Sequence, residues 1–361
     1  MFSLSDLPLR DSLKGREPYG APQLSVPVAL NVNENTHPVP AEVAEDVVSR
    51  IRAAVQNINR YPDREFTLLR EKLANYLGHG LEVSNIWAAN GSNEVIQQIF
   101  QAFGGPGRLS IGFGPTYSMY SLIALGSDTK YIDAPRDGNF ELTVETAVAA
   151  MRELKPDITL LCSPNNPTGT PLSLEVIEAV YAETSGIVVV DEAYAEFAHD
   201  GAKSAITLLP GRERLLVSRT MSKAFAFAGA RVGYLAAHPA VIDALRLVRL
   251  PYHLSAFTQA AAEAALDHSA VMLATVDDIR VQRDRLVKEL AELGYSPYRS
   301  DSNFVLFGGV ENPHQTFEAL LAKGVLVRNV GIPNTLRVTA GTEAETGAFL
   351  EALRNLSLIH I

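Results

Sequence analysis

The 361-residue chain is 47% hydrophobic with a formal net charge of −10. That is enough apolar material for a large core and two domains, and the wrong charge balance for a nucleic-acid or anionic-membrane partner. One cysteine, Cys162, excludes an internal disulfide and fits a reducing cytoplasm, while the eight histidines are scattered without a metal-binding spacing, so no metal is expected.

No apolar run is long enough for a membrane helix, and Met1-Phe2-Ser3-Leu4-Ser5-Asp6-Leu7-Pro8 lacks the basic start and apolar run of a signal peptide. Helix-period apolar residues run from Ala41 to Asn57 and from Glu65 to Leu77, where Gly78 and Gly80 suit a helix end. Ile86-Trp87-Ala88-Ala89 then leads through a turn into a helix over Val95 to Phe103. Strands are predicted over Arg108 to Phe113 and Lys130 to Asp133, with a helix from Tyr117 to Leu125 between them. Further strands fall near Ile158, Val188 and Leu216, interleaved with helices such as Leu174 to Thr184. This alternation predicts an α/β fold, with a mostly parallel sheet carrying helices on both faces. Beyond Pro251 the pattern changes. Ser255 to Leu293 reads as helix broken near His268. Short strands at Asn303 to Phe307, Val325 to Arg328 and Thr335 to Thr339 then surround helices at Thr316 to Ala322 and Glu343 to Leu353, as in a smaller α+β domain.

Three segments carry chemistry. Ser163-Pro164-Asn165-Asn166-Pro167-Thr168-Gly169 follows an apolar run, so it sits at the end of a buried strand, where ligands of parallel sheets collect. Gly186-Ile187-Val188-Val189-Val190-Asp191-Glu192-Ala193-Tyr194 delivers a carboxylate at the end of another. Ser222-Lys223 lies close before Arg231, and neighbouring cationic charge lowers a lysine's pKa and frees its amine for Schiff-base chemistry. Taken singly, each has a plain structural reading: a turn, an exposed acid, a surface lysine. A fourth segment, Asn90-Gly91-Ser92-Asn93-Glu94, reads either as a helix cap or as an anion cradle at a helix start.

In this order the motifs resemble those of the fold-type I pyridoxal-phosphate aminotransferases, and within them the histidinol-phosphate aminotransferases. The resemblance covers nearly the whole chain. It implies an amino-terminal arm (1–37) joining the small domain (251–361) and a large cofactor domain (38–250). It implies that Lys223 is the Schiff-base lysine and proton shuttle, that Asp191 pairs with the ring nitrogen (with Glu192 as its rival), and that Asn166 and Tyr194 donate to the phenolic oxygen. Ser92, Asn93, Thr220, Ser222 and Arg231 are expected to bind the cofactor, chiefly at its phosphate. Tyr117 is expected to stack on the ring, and Tyr61 to reach the site of the neighbouring subunit in a homodimer. Arg337 is expected to capture the substrate anion, with Arg328 as the second anion residue and Tyr19 and Asn33 near substrate. Thr36-His37 departs from the family's usual proline-aromatic pair, which loosens the substrate assignments on this arm.

The implied reaction is transamination between a small-molecule amino donor, histidinol phosphate, and 2-oxoglutarate. The alternatives are an aromatic amino-acid aminotransferase on the same scaffold, a pyridoxal-phosphate decarboxylase or lyase and, weakest, a non-catalytic regulator. Cys162 is expected only to pack.

Overall fold

The fold is seen in a computed structural model that describes residues 2–357; Met1 and residues 358–361, the outermost ends of the expected arm and small domain, lie outside the described residues. In chain order the arm contributes β1 (Val28–Ala29), followed by α1 (Ala41–Val55) and α2 (Thr67–Leu77). Next come β2 (Ile86–Ala89), α3 (Ser92–Phe103), β3 (Leu109–Gly114), α4 (Met119–Gly126), β4 (Lys130–Pro135), α5 (Val144–Leu154), β5 (Ile158–Cys162), α6 (Leu174–Glu183), β6 (Ile187–Asp191), β7 (Leu215–Thr220), β8 (Gly233–Ala236) and α7 (Pro239–Val248). The remainder is α8 (Ala256–Asp267), α9 (Ser269–Leu273), α10 (Thr275–Glu292), β9 (Ser296–Pro297), β10 (Phe304–Gly308), α11 (Pro313–Ala322), β11 (Val325–Leu326), β12 (Leu336–Thr339) and α12 (Glu343–Ser357).

Seven strands form one sheet in the order β2-β8-β7-β6-β5-β3-β4. Its pairs are parallel from β7 through β6, β5 and β3 to β4, and β8 runs antiparallel to both its neighbours. All five residues of β5 and four of the five in β6 are buried, which is why these strands read as unbroken apolar runs. Parallel pairing carries the ends of β3, β5, β6 and β7 to one edge of the sheet. The expected α/β fold is observed. The long helical stretch breaks at His268, as its sequence indicates.

A second core gathers Leu286, Leu290, Phe304, Phe307, Leu336, Phe349 and Leu353 around the three-stranded sheet β12-β10-β9. The arm reaches it: Val28 pairs with Val325 in parallel register, and Leu30 is buried there. Tyr194, Phe197 and Ala224, from the segments that follow β6 and β7, also enter this core. The segments beyond the strand ends are thereby clamped between the two cores. α8 packs on α1 and α2 instead, and its buried Ala261, Ala262 and Ala265 belong to the first core. No helix among the described residues is long and apolar enough to cross a membrane.

Candidate active site

A cavity of about 440 Å³ opens at the carboxyl ends of the parallel strands. Every site residue expected from the sequence lines it except Tyr61. That residue is 79% exposed and stacks on Tyr252, with ring centroids 4.4 Å apart.

Asp191 ends β6 and is 2% exposed. One carboxylate oxygen, Oδ2, accepts the Tyr120 hydroxyl at 2.8 Å, and the other, Oδ1, is buried without a partner among the described residues. Burial pushes this carboxyl up to about 6, opposed by the Tyr120 hydroxyl and the Ala193 amide, both of which favour the charged form. Glu192, the rival acid, is fully engaged elsewhere: Arg219, Ser204 and the Ala205 amide all donate to it.

Lys223 is partly buried, and its Nζ donates to the Val32 carbonyl of the arm at 3.0 Å. Its pKa is lowered to about 8. The sequence points to cationic neighbours as the cause, but burial outweighs them; Arg337 comes next, and Arg231 contributes least. This burial cannot be read locally, because the arm that covers the lysine lies 191 residues away.

A chain of amides orders the opposite wall. Arg337 Nη1 donates to Asn166 Oδ1 at 2.6 Å, which turns the Asn166 amide nitrogen toward Tyr194. The Tyr194 hydroxyl accepts from Asn33 at 3.0 Å and from Asn166 at 3.4 Å, which leaves its own proton for an acceptor in the cavity. Asn33 takes a left-handed φ of 57° and is held by Thr339. Arg337 Nη2 donates to the Asn31 carbonyl at 2.9 Å, and Nε is buried without a partner among the described residues.

The fourth segment forms a cradle. Gly91 has φ 86° and precedes α3, whose first N–H groups have no acceptor within the helix. A Cβ on Gly91 would meet Arg231 Nη2 at 2.4 Å, and one on Gly233 would meet the Ser92 amide nitrogen at 2.1 Å. Arg231, itself left-handed at φ 55°, brings its guanidinium to 3.4 Å from Ser222 Oγ. Thr220 braces Ser222 by accepting its amide at 3.1 Å. Asn93 accepts the Tyr117 hydroxyl at 3.1 Å, which fixes the ring at the cavity wall. Gly233→Ala is therefore expected to destabilise the fold by about 1–3 kcal/mol through overpacking against backbone, seen as a lowered Tm.

These features fit pyridoxal phosphate. The orphaned Asp191 Oδ1 suits a ring N–H, the glycine cradle with Arg231 suits a phosphate, and the Lys223 amine suits an aldehyde. Cys162 is buried in the same wall and its thiol is pushed up to about 12 by burial, so it packs. Sequence reasoning missed Tyr120, which lies in the first turn of α4 three residues after Tyr117, and the arm carbonyls of Asn31 and Val32. The spacing could have flagged the tyrosine, whereas nothing in the local sequence marks the carbonyls.

The sequence profile of the family aminotransferase class I and II matches residues 26–353. The chain belongs to this family. It is 64% identical to a histidinol-phosphate aminotransferase of Paenarthrobacter aurescens (strain TC1), over 98% of this chain and 96% of that one. It is 54% identical to the protein of the same name from Thermobifida fusca (strain YX), over 98% and 96%. Among solved structures, the Sinorhizobium meliloti histidinol-phosphate aminotransferase in complex with pyridoxal 5′-phosphate superposes with a TM-score of 0.82 at 24% identity, covering 93% of this chain and 92% of that one, a likeness of fold. The family expected from the motifs is thus the family found.

Proposed function

We propose that this protein is a pyridoxal-phosphate-dependent aminotransferase that moves an amino group between L-histidinol phosphate and 2-oxoglutarate. The observation that carries the substrate is a pair of arginines. Arg328 and Arg337 sit directly opposite in an antiparallel bridge, exchanging backbone hydrogen bonds of 2.9 Å, and both line the cavity. Like charges placed opposite each other are unfavourable, and burial together with Arg328 holds the Arg337 guanidinium down at about 10. The Arg328 guanidinium has no hydrogen bond or ion pair among the described residues. Two guanidinia side by side are offset by one anion between them, and a phosphate dianion does so more fully than a carboxylate. The relatives' name agrees with this reading.

Bound pyridoxal phosphate supplies the aldehyde and the electron sink for the charge left when the substrate Cα loses its proton. The chain's own groups do the rest. The Lys223 amine would hold the aldehyde and, when free, would carry that proton as base and then acid. Asp191 holds positive charge at the ring nitrogen. Asn166 and Tyr194 would donate to the phenolic oxygen, Tyr117 would cover the ring, and Ser92, Asn93, Thr220, Ser222 and Arg231 would hold the phosphate. Tyr19 and Asn33 close the substrate side.

The same proposal includes the architecture. Residues 1–37 and 251–361 form a small domain against a large domain of residues 38–250, with α8 packed back on α1 and α2 of the large domain and residues from Val276 onward contributing to the second core. It includes a homodimer in the cytoplasm, each cavity completed by the partner's tyrosine at position 61; the exposed Tyr61–Tyr252 stack supports this. Mixing Tyr61→Phe with Lys223→Ala subunits should regenerate one intact site per heterodimer, so activity should rise above that of either homodimer. No rise, with heterodimers verified by mass, argues against sharing.

The substrate is tested by comparing kcat/KM for histidinol phosphate and phenylalanine with 2-oxoglutarate as acceptor. A large preference for the phosphate is expected. Equal values would favour the aromatic aminotransferase, and failure of glutamate to return the amino group would favour a lyase.

A further inference from the structure

Tyr120, on α4, is a buried polar side chain that the reaction above leaves without a role. It has no exposed surface, and its ring meets Tyr117 edge to face with centroids 5.5 Å apart. Its hydroxyl donates to Asp191 Oδ2 at 2.8 Å, while Asp191 Oδ1 remains unpartnered among the described residues.

We propose that Tyr120 is a positioning residue that keeps the Asp191 carboxylate turned and charged, so that Oδ1 is presented to the ring nitrogen of the cofactor. This rests on the pyridoxal-phosphate reading. A carboxylate at a strand end rotates about its last side-chain bond unless one oxygen is held, and the phenol, which is not among the residues lining the cavity, holds Oδ2. A donor to the charged form also opposes the cost of burial, which otherwise favours the neutral acid. A neutral acid offers the ring nitrogen no counter-charge. The other groups facing this carboxylate do not replace the phenol: Cys162 is a neutral thiol beside the same hydroxyl, Glu192 is a like charge on the adjacent residue, and the Ala193 amide is a fixed backbone donor.

The rival role is packing, with Tyr120 serving only to back the Tyr117 ring. A double-mutant cycle separates the two, because a residue acting through Asp191 has no effect once Asp191 cannot respond. Apoproteins of the wild type, Tyr120→Phe, Asp191→Asn and the double variant would be titrated with pyridoxal phosphate by equilibrium dialysis, with Tm recorded for each. Tyr120→Phe is expected to raise the dissociation constant on the order of 10-fold, Asp191→Asn to raise it further, and the double variant to match Asp191→Asn. A Tyr120→Phe constant within about twofold of wild type overturns the proposal. So do two effects that multiply in the double variant, which would mark Tyr120 as packing. If the phenylalanine variant is less stable, its comparison within the Asp191→Asn background still separates the two roles. A wild-type apoprotein that takes up no pyridoxal phosphate would sink the cofactor reading itself, an outcome distinct from those.

Discussion

Lys223→Ala is expected to lower turnover by about 10⁴-fold or more while leaving the fold intact, because one amine serves as both covalent partner and proton shuttle. Structural damage should be small. Among the described residues the amine makes one hydrogen bond, to the Val32 carbonyl, and the cavity already surrounds it. Circular dichroism and Tm should stay near wild type as single-turnover transamination disappears. Retention of near-normal turnover would refute the assigned role. The amine also predicts a pH dependence. Only a neutral amine adds to an aldehyde, and the Lys223 pKa is lowered to about 8, chiefly by burial. The neutral fraction therefore rises with pH and reaches half near that value. Capture of pyridoxal phosphate by the apoprotein should accelerate through the same range, in contrast to an ordinary lysine, which would remain protonated there. Stopped-flow absorbance across pH 6 to 10 reads this directly.

Arg337→Ala is expected to cost about 30- to 1000-fold in kcat/KM for both the glutamate and the histidinol-phosphate half-reactions, the worth of one charge-assisted contact at about 2–4 kcal/mol. The geometry adds a second consequence. Arg337 holds Asn166 at 2.6 Å and the Asn31 carbonyl at 2.9 Å, so its removal frees an amide of the cofactor wall and a carbonyl of the arm. The loss should therefore lie toward the upper end of that range. Arg337→Lys should restore only part, since an ammonium keeps the charge without the fork that reaches two acceptors. Arg328→Ala should harm histidinol phosphate more than phenylalanine, as its guanidinium holds no protein partner among the described residues and is offset only by the larger anion. Rapid-mixing half-reactions with the three substrates separate these effects. An unchanged glutamate half-reaction in Arg337→Ala would move the anion role to another arginine.

What the sequence determined by itself follows from short-range physics. Runs such as Ile158–Cys162 and Ile187–Asp191 are apolar because parallel strands are buried on both faces. The ends of such runs are marked by the polar residues that follow or close them, as Asp191 closes β6 at the cavity. Asp191, Asn166 and Lys223 could be assigned to the strand ends on such grounds, and Gly91-Ser92 stood out because a glycine before a helix start leaves N–H groups open to an anion. The same local logic failed where elements are short or chemically plain. The four-residue β8, Gly233–Ala236, carries no periodicity of its own and exists by pairing antiparallel with β2 and β7. Helix α7 also escaped the pattern, although His238 caps it and Pro239 opens it. Only the tertiary structure decided which distant residue packs against each motif. The Val32 carbonyl meets Lys223, Tyr120 holds Asp191, and Arg337 orients Asn166 across 171 residues of sequence. Burial set the Lys223 and Asp191 proton affinities more than any neighbour in sequence did, because desolvation depends on which distant segments close over a group.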